Sequence, residues 1–211
     1  MHPKDFERHI DILARLPLPG LQAHTSVLLP YRNDLMRRYP HLEYRPAAVL
    51  ALIYPQNGRL QSVLIQRYVY DGVHSGQMAF PGGKAEAEDD SLARTALREA
   101  REETGIPEAD VHIIRHLTPV KIPVSRYEVT PYLGWLPYAP ALRPQPGEVA
   151  AIHTVDWDYL MQAPWQQELR TYEGRSYPIH FIPLNGQKIW GATAMVIAEI
   201  RDLWTRLHGN S

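Results

Sequence analysis

The pattern of apolar and polar positions predicts helices at both ends of the chain. Residues 4–16 repeat apolar side chains at helical spacing, namely Phe6, Ile10, Leu13 and Leu16. The prolines at positions 17 and 19 end this helix. A shorter helix is predicted over 31–39, before Pro40, and residues 191–207 have the pattern of a final amphipathic helix.

Between these helices the apolar pattern changes to that of strands. A continuous apolar run covers residues 47–54, Asn57-Gly58 is a strong hairpin signal, and a second strand is predicted over 60–67. Further strands are predicted over residues 111–121, 129–136, 149–155, 168–173 and 177–184, with a short helix over 156–162. Since strands and helices mix without a regular βαβ repeat, the pattern favours an α+β fold or three-layer sandwich over a doubly wound sheet.

A glycine-rich passage over residues 72–83 leads into a helix of about 91–104. Either Asp90 or Ser91 can cap its N-terminus, and Gly105 stands where a helix C′ residue belongs. One side of this helix is apolar and suited to packing against a sheet. The other side is acidic, and it carries the most informative cluster of charges in the chain.

Three carboxylates share the acidic face, because Glu99, Glu102 and Glu103 are three and four residues apart. One interpretation is a solvated surface on which Arg98 and Arg101 pair with their neighbours. The other is a site for a hard divalent cation such as Mg²⁺, which prefers carboxylate oxygens and often shares its shell with phosphates. The glycine pair at 82–83 favours the cation, because glycine lets the backbone approach a ligand closely.

The segment from Gly82 to Ile106 resembles the Nudix box, G-x5-E-x7-R-E-U-x-E-E-x-G-U with U aliphatic. The second half matches, with Ala100 and Ile106 at the aliphatic positions. Counting back eight residues from Arg98 puts Asp90 at the first acid, so that an aspartate replaces glutamate and the distance from the glycine grows by one residue.

The resemblance implies a role for each matching position. Metal ligands would be Glu99 and Glu103 directly, Glu102 directly or through water, and a carbonyl of Gly82 or Gly83. Structural roles would belong to Asp90, Arg98 and Gly105. The implied enzyme uses Mg²⁺ or Mn²⁺ to hydrolyse a pyrophosphate bond, with Glu102 and Glu103 in catalysis.

The likeness extends beyond the box to coenzyme A pyrophosphatases, which residues 74–83 resemble as the segment before the box. Later stretches at 129–131, 148–149 and 189–194 are also similar. The implied substrate is coenzyme A or a thioester, split into 3′,5′-ADP and 4′-phosphopantetheine. Substrate contacts are expected from Arg67, His74, Gly76, Gln77 and Lys84, and Glu148 is a candidate general base on a late loop.

Two departures leave other substrates open. Gly72 replaces the second arginine of the subfamily's upstream signature, which removes a bidentate phosphate partner, and Tyr68 replaces a small residue. ADP-ribose or a dinucleotide such as NADH is the alternative within the same chemistry. An alternative of another class is a non-catalytic module that binds a nucleotide or a protein. The retained acidic triad favours catalysis.

Composition narrows the function further. The chain has 211 residues and no cysteine, which excludes disulfides, thiolate zinc sites and a thiol nucleophile. A net charge of -1 does not favour nucleic acid, and no apolar run approaches the roughly 20 residues that span a bilayer. We therefore expect a cytoplasmic enzyme with a small-molecule substrate. The resemblance further implies a mixed sheet sandwiched between helices over 41–211 and a helical extension over 1–40 packed on it. Since homodimers are common among such enzymes, the resemblance also allows a homodimer.

Overall fold

A computed structural model describes residues 1–68, 71 and 74–209, so the substitution at Gly72 lies outside the described residues. The helices are α1 (Pro3–Arg15), α2 (Leu21–His24), α3 (Pro30–Arg38), α4 (Leu92–Thr104), α5 (Trp157–Gln162) and α6 (Gly191–Gly209). The strands are β1 (Arg45–Gln56), β2 (Arg59–Arg67), β3 (Met78–Ala79), β4 (Gly82–Lys84), β5 (His112–His116), β6 (Val120–Ile122), β7 (Tyr127–Trp135), β8 (Val149–Asp156), β9 (Gln166–Tyr172), β10 (Arg175–Leu184) and β11 (Gln187–Trp190).

A mixed sheet of eight strands forms the centre of the fold. Its path runs β3-β2-β1-β7-β5, with β4 paired to β1, β6 to β7 and β8 to β2. Only the β1–β7 pair of this sheet is parallel in the described part of the chain. Strands β9, β10 and β11 form a separate antiparallel sheet.

Strand β1 is buried on both faces, which explains its continuous apolar sequence. On one face Leu50 and Leu52 pack with Ala96 and Ala100 of α4. On the other face Ile53 belongs to a larger apolar cluster that includes side chains of α1, α5 and α6. The sheet therefore lies between helices, as the sequence predicted.

The N-terminal helices pack onto the same core. Phe6 of α1 has its ring centre 5.0 Å from that of Trp135 and 5.9 Å from that of Trp204 in α6. The Arg115 guanidinium donates hydrogen bonds at 2.7 Å and 2.5 Å to carbonyl oxygens at the end of α1, those of Leu13 and Leu16. These contacts join α1 to β5, to β7 and to α6.

Most predicted elements are confirmed, and the exceptions have local reasons. The Asn57-Gly58 hairpin is present, with positive φ at both residues, as a two-residue turn requires. The single strand expected over 111–121 is wrong, because residues 117–119 separate β5 from β6. The sequence pattern also missed α2, β3, β4 and β11, each of which has four residues or fewer. Among the described helices, none has the length and apolar character needed to cross a membrane.

Candidate active site

Two consecutive glycines bring the backbone of β4 against the acidic helix α4. A β-carbon at Gly82 would overlap the carbonyl oxygen of Ala48 on β1, so only glycine fits this paired strand. The backbone N–H of Gly82 donates a hydrogen bond of 2.8 Å to Oε2 of Glu103. Gly83 packs directly against the carboxylate of Glu99. The glycine pair and the helix therefore form one contiguous unit.

Local signals fix the position of α4 and hence of its carboxylates. The Ser91 hydroxyl accepts a hydrogen bond from the backbone N–H of Arg94 and caps the helix. Gly105 adopts φ 76° and its N–H bonds to the carbonyl of Arg101, which closes the last turn. The sequence left the cap open between Asp90 and Ser91, and the structure has Ser91 there; the helix end at Gly105 was predicted.

Arg98 is held by Asp89, not by Asp90 as the sequence analysis assigned. Its guanidinium donates two hydrogen bonds of 2.9 Å to the Asp89 carboxylate, whose side chain is 4% exposed. The Arg98 guanidinium strongly lowers the pKa of Asp89, outweighing the opposing effect of burial. Asp90 is exposed and accepts only the Ser91 hydroxyl among the described contacts. The extra residue therefore lies between Asp89 and Arg98, and the spacing from Gly83 is the usual one.

Arg98 also contacts two members of the acidic triad. Its Nη1 lies 3.1 Å from Oε1 of Glu99 and 3.1 Å from Oε2 of Glu102. These ion pairs are the ones expected if the acidic face of α4 is a solvated surface neutralised by arginines. Glu103 differs, because its side chain is 3% exposed and its nearest cationic group, Nη1 of Arg67, is 3.9 Å away. The most buried carboxylate of the triad thus has the weakest ion pair.

The electrostatics of the site favour the binding of a cation. Burial, the largest cause, and the negative charges of Glu99 and Glu148 together raise the pKa of Glu103 to about 7, against the opposing effects of the Gly82 N–H and the Arg67 charge. Burial likewise raises the pKa of Glu99, despite Arg98. Carboxylates with raised pKa values in a cleft are typical of functional sites.

The loop before β3 supplies the predicted substrate contacts. Nδ1 of His74 donates a hydrogen bond of 3.1 Å to Oε1 of Gln77, and burial lowers the pKa of His74. Gly76 has φ 66°, and its N–H bonds to the carbonyl of Tyr68, so its role in this structure is to shape the loop. Lys84 lies at the other edge, with Nζ 3.6 Å from Glu86.

The predicted metal ligands, the candidate base and the predicted substrate contacts, except Gly76, border one cleft of about 1150 Å³. Glu99, Glu102, Glu103 and Glu148 line its acidic end together with Gly82 and Gly83. Arg67, His74, Gln77 and Lys84 line the same cleft, so the structure brings together residues from five separate segments. The volume exceeds what a diphosphate needs, which leaves room for large groups on either side of it.

Comparison with known proteins decides the family. The family described as NUDIX domain matches residues 44–176. The chain is also 36% identical over 190 residues to a Salmonella paratyphi B protein named "Uncharacterized Nudix hydrolase NudL", covering 89% of this chain and 94% of that one. A Salmonella typhimurium protein of the same name gives the same figures. The chain belongs to the Nudix family. It is a pyrophosphohydrolase that acts on nucleoside diphosphate derivatives.

Similar solved structures include a MutT/nudix family protein from Enterococcus faecalis, at 14% identity and a TM-score of 0.47, covering 90% of this chain and 78% of that one. The NUDIX domain of Shewanella oneidensis NrtR, solved with ADP ribose, is 18% identical with a TM-score of 0.46, covering 63% and 87%. At these scores the similarities do not bear on the substrate of this chain.

Nudix hydrolases generally use divalent metal ions, and the donors here fit such an ion. The candidate ligands are hard carboxylate and carbonyl oxygens, and the best buried of them, Glu103, lacks a close cationic partner. Within the described residues, no three acidic or histidine side chains converge at metal-binding distance in this conformation. The contacts explain why: Glu99 and Glu102 turn to Arg98, while Glu103 turns to the N–H of Gly82.

Sequence reasoning missed several residues of the site. Asp89 was missed because the box was counted back from Arg98, whereas counting six residues forward from Gly83 reaches Asp89. The cleft also includes Arg32, Arg45 and Lys121, which come from α3, β1 and β6. No local motif marks these three residues, because only the packing of distant segments brings them to the cleft.

Proposed function

We propose that this Nudix enzyme hydrolyses the pyrophosphate bond of coenzyme A or its thioesters, with Mg²⁺ or Mn²⁺. The observation that carries the proposal is the continuity of the cleft. Its acidic end holds the box carboxylates, and the adjoining wall is formed by the segment over residues 74–83 that resembles coenzyme A pyrophosphatases. The cleft of about 1150 Å³ leaves room beside the diphosphate for other parts of such a substrate.

In this proposal the box residues divide the work. Glu99 and Glu103 would ligate the metal, Glu102 would do so directly or through water, and a carbonyl of Gly82 or Gly83 would complete the donor set. When bound, the metal neutralises the diphosphate and lowers the pKa of water near it. Asp89, in the place first given to Asp90, fixes Arg98 and through it the orientation of Glu99 and Glu102.

The other cleft residues bind substrate and move the proton. Arg67 is the charged group best placed to bind a phosphate oxygen, because it lines the cleft beside Glu103. His74 and Gln77 would orient the substrate, with Gly76 shaping their loop, and Lys84 would contact it from the opposite edge. Glu148 would accept a proton from the attacking water. Water adds to one phosphorus, the bridging P–O bond breaks, and 3′,5′-ADP and 4′-phosphopantetheine leave.

The test is a hydrolysis assay with coenzyme A, ADP-ribose and NADH offered separately, first with Mg²⁺ and then with Mn²⁺, and products resolved by chromatography. Release of 3′,5′-ADP from coenzyme A is the expected result, and chelation of the metal should abolish it. Cleavage of ADP-ribose or NADH instead would show that the changes at Gly72 and Tyr68 have moved the specificity. Binding of these compounds without turnover of any would favour the non-catalytic module.

We also propose that the chain divides near residue 40 into a helical extension over 1–40 and a Nudix domain over 41–211, and that it forms a homodimer. The match of the family to 44–176 supports the division. Light scattering coupled to size-exclusion chromatography tests the dimer, since a mass near the 24.2 kDa of one chain would exclude it.

A further inference from the structure

Two arginines from separate elements border the cleft outside the box. They are Arg32 of α3 and Arg45 at the start of β1. The Arg32 Nε donates a hydrogen bond of 2.8 Å to the backbone carbonyl of Lys121 in β6. Arg45 of β1 and Ile122 of β6 both pair with Tyr127, so β1 and β6 lie on either side of β7. We call Arg32 and Arg45 the basic subsite.

The two arginines of the basic subsite differ from Lys121 in their partners. Within the described residues, neither Arg32 nor Arg45 has a carboxylate oxygen within the 4.0 Å that defines an ion pair. Arg45 instead lies over the ring of Tyr127, 4.5 Å from its centre, and donates to the Ser125 carbonyl at 3.3 Å. The Lys121 ammonium lies 3.8 Å from Glu128 and 5.3 Å from the ring centre of Tyr44. Neither of these two residues is in the described lining of the cleft, so Lys121 is not part of the subsite.

The other two arginines of α3, unlike Arg32, form ion pairs with carboxylates. Arg37 pairs with Asp34 at 2.6 Å, and Arg38 pairs with Glu173 at 2.9 Å. Arg32 is the one of the three that is turned into the cleft, and burial lowers its pKa. A desolvated guanidinium whose hydrogen bonds go to a carbonyl retains N–H groups that suit an anionic ligand.

The basic subsite lies within reach of a substrate held at the box. Gly83 pairs with Ala48 of β1, and Arg45 precedes Ala48 by three residues. At about 3.3 Å per residue, the two positions are about 10 Å apart along the strand. A ribose with its substituents can bridge such a gap between a diphosphate and a second phosphate.

We propose that Arg32 and Arg45 bind a phosphomonoester carried on the nucleoside half of the substrate. The inference rests on the proposed function, because it assumes that the diphosphate lies among the box carboxylates. It narrows the substrate class to nucleoside diphosphate derivatives with an additional sugar phosphate. Coenzyme A has one on the 3′-oxygen, whereas ADP-ribose and NADH have none.

Binding measurements on the full-length protein test the basic subsite without relying on turnover. Calorimetric titration compares 3′,5′-ADP with 5′-AMP, which differ only in the phosphate on the 3′-oxygen. We expect 3′,5′-ADP to bind about 10-fold or more tightly, because charge-assisted hydrogen bonds contribute that much. Arg45→Gln and Arg32→Gln should bring the ratio towards 1. Arg37→Gln is the matched control, because Arg37 is on the same helix, is 77% exposed and lies outside the cleft lining.

An equal affinity of the wild-type protein for the two nucleotides would overturn the proposal, as would a preference that both cleft variants retain. If Arg32→Gln unfolds, Arg45→Gln decides alone, since Arg45 is exposed and its loss removes little packing. If the protein bound 2′,5′-ADP more tightly than 3′,5′-ADP and the same variants removed that preference, the subsite would be supported. Its ligand would then be a 2′-phosphate.

Kinetics then separate this inference from the proposed function. The wild-type enzyme should show a higher kcat/KM for coenzyme A than for 3′-dephospho-coenzyme A, and Arg45→Gln should reduce that ratio. Hydrolysis of both at equal kcat/KM would overturn the subsite and leave the proposed function standing. Hydrolysis of neither, with the nucleotide preference intact, would support the subsite and overturn coenzyme A as the substrate.

Discussion

Gly83 and Glu99 are in direct contact: a β-carbon on Gly83 would lie 2.5 Å from Cδ of Glu99 and 2.6 Å from each carboxylate oxygen. The Gly83→Ala substitution must therefore displace this carboxylate. Since the displaced group is the end of a flexible side chain, the fold should survive. Misplacing a reacting group by about 1 Å can cost about 100-fold, so we expect kcat to fall by about that factor with little change in Tm.

The control for this variant is Gly209→Ala, because a β-carbon at Gly209 meets no atom within 4 Å. It should leave both kcat and Tm unchanged. If Gly83→Ala kept full activity in the same assay, the position of the Glu99 carboxylate would not matter for turnover, and its assignment as a metal ligand would fail.

Glu103 is the carboxylate on which the metal assignment depends most. Glu103→Gln retains an oxygen that accepts the N–H of Gly82, so the local structure should hold. It removes the negative charge. Groups that merely orient metal ligands change activity by about 10–100-fold, so loss of a direct ligand should lower kcat by about 100-fold or more. The assay is hydrolysis at saturating Mg²⁺, with circular dichroism to check folding.

Glu88→Gln is the matched control for charge, because Glu88 is exposed and lies in the loop before α4. It should behave as the wild-type protein. Near-normal hydrolysis by Glu103→Gln would overturn the metal role and return the acidic face to the alternative of a surface neutralised by arginines.

The long elements of the fold could be predicted because their signals are local. Strand β1 is apolar throughout since both its faces are buried, and α4 carries its own stop at Gly105. The single strand expected over 111–121 failed for a tertiary reason. Thr118 donates its N–H to the Glu199 carboxylate of α6, and Pro119 has no N–H, so the pairing with β7 is interrupted between β5 and β6.

The site could be predicted only where a motif fixed the spacing. Glu99, Glu103 and Gly83 follow from the box, and the structure brings them together. Arg32 shows the limit, because it lies 13 residues before Arg45 in a separate helix and reaches the cleft only through the packing of α3. A single sequence has no local signal for that contact.

The pairing of Arg98 with Asp89 predicts unequal effects for two adjacent aspartates. Asp89→Asn removes a charged partner from two hydrogen bonds in a largely buried pair, so the free energy of unfolding should fall by about 2 kcal/mol. Asp90→Asn changes an exposed side chain and should stay within about 0.5 kcal/mol of wild type. Urea denaturation measures both. A larger loss of unfolding free energy for Asp90→Asn than for Asp89→Asn would support Asp90 as the first acid of the box.

Glu199 is a fully buried carboxylate of α6 that connects the N-terminal helices to the core. Its Oε1 accepts the Thr118 hydroxyl at 2.6 Å, and its Oε2 accepts the Thr118 N–H at 3.0 Å and lies 3.4 Å from Nε2 of His24 in α2. Arg115 acts on it electrostatically from β5. Burial raises the pKa of Glu199, but the hydrogen bonds from His24 and Thr118 outweigh it and lower the pKa below its ordinary 4.5.

This lowered pKa predicts how acid acts on stability. A carboxyl group with a lower pKa in the folded state stabilises fully above its unfolded pKa, and that contribution disappears as the pH falls through the folded value. Glu199→Gln should therefore be less stable than wild type by about 2 kcal/mol at neutral pH, and the difference should shrink below pH 4.5. Urea denaturation across this range measures it, with the exposed Glu7→Gln as control. A difference that stayed constant into strong acid would mean that the charge of Glu199 does not stabilise the fold.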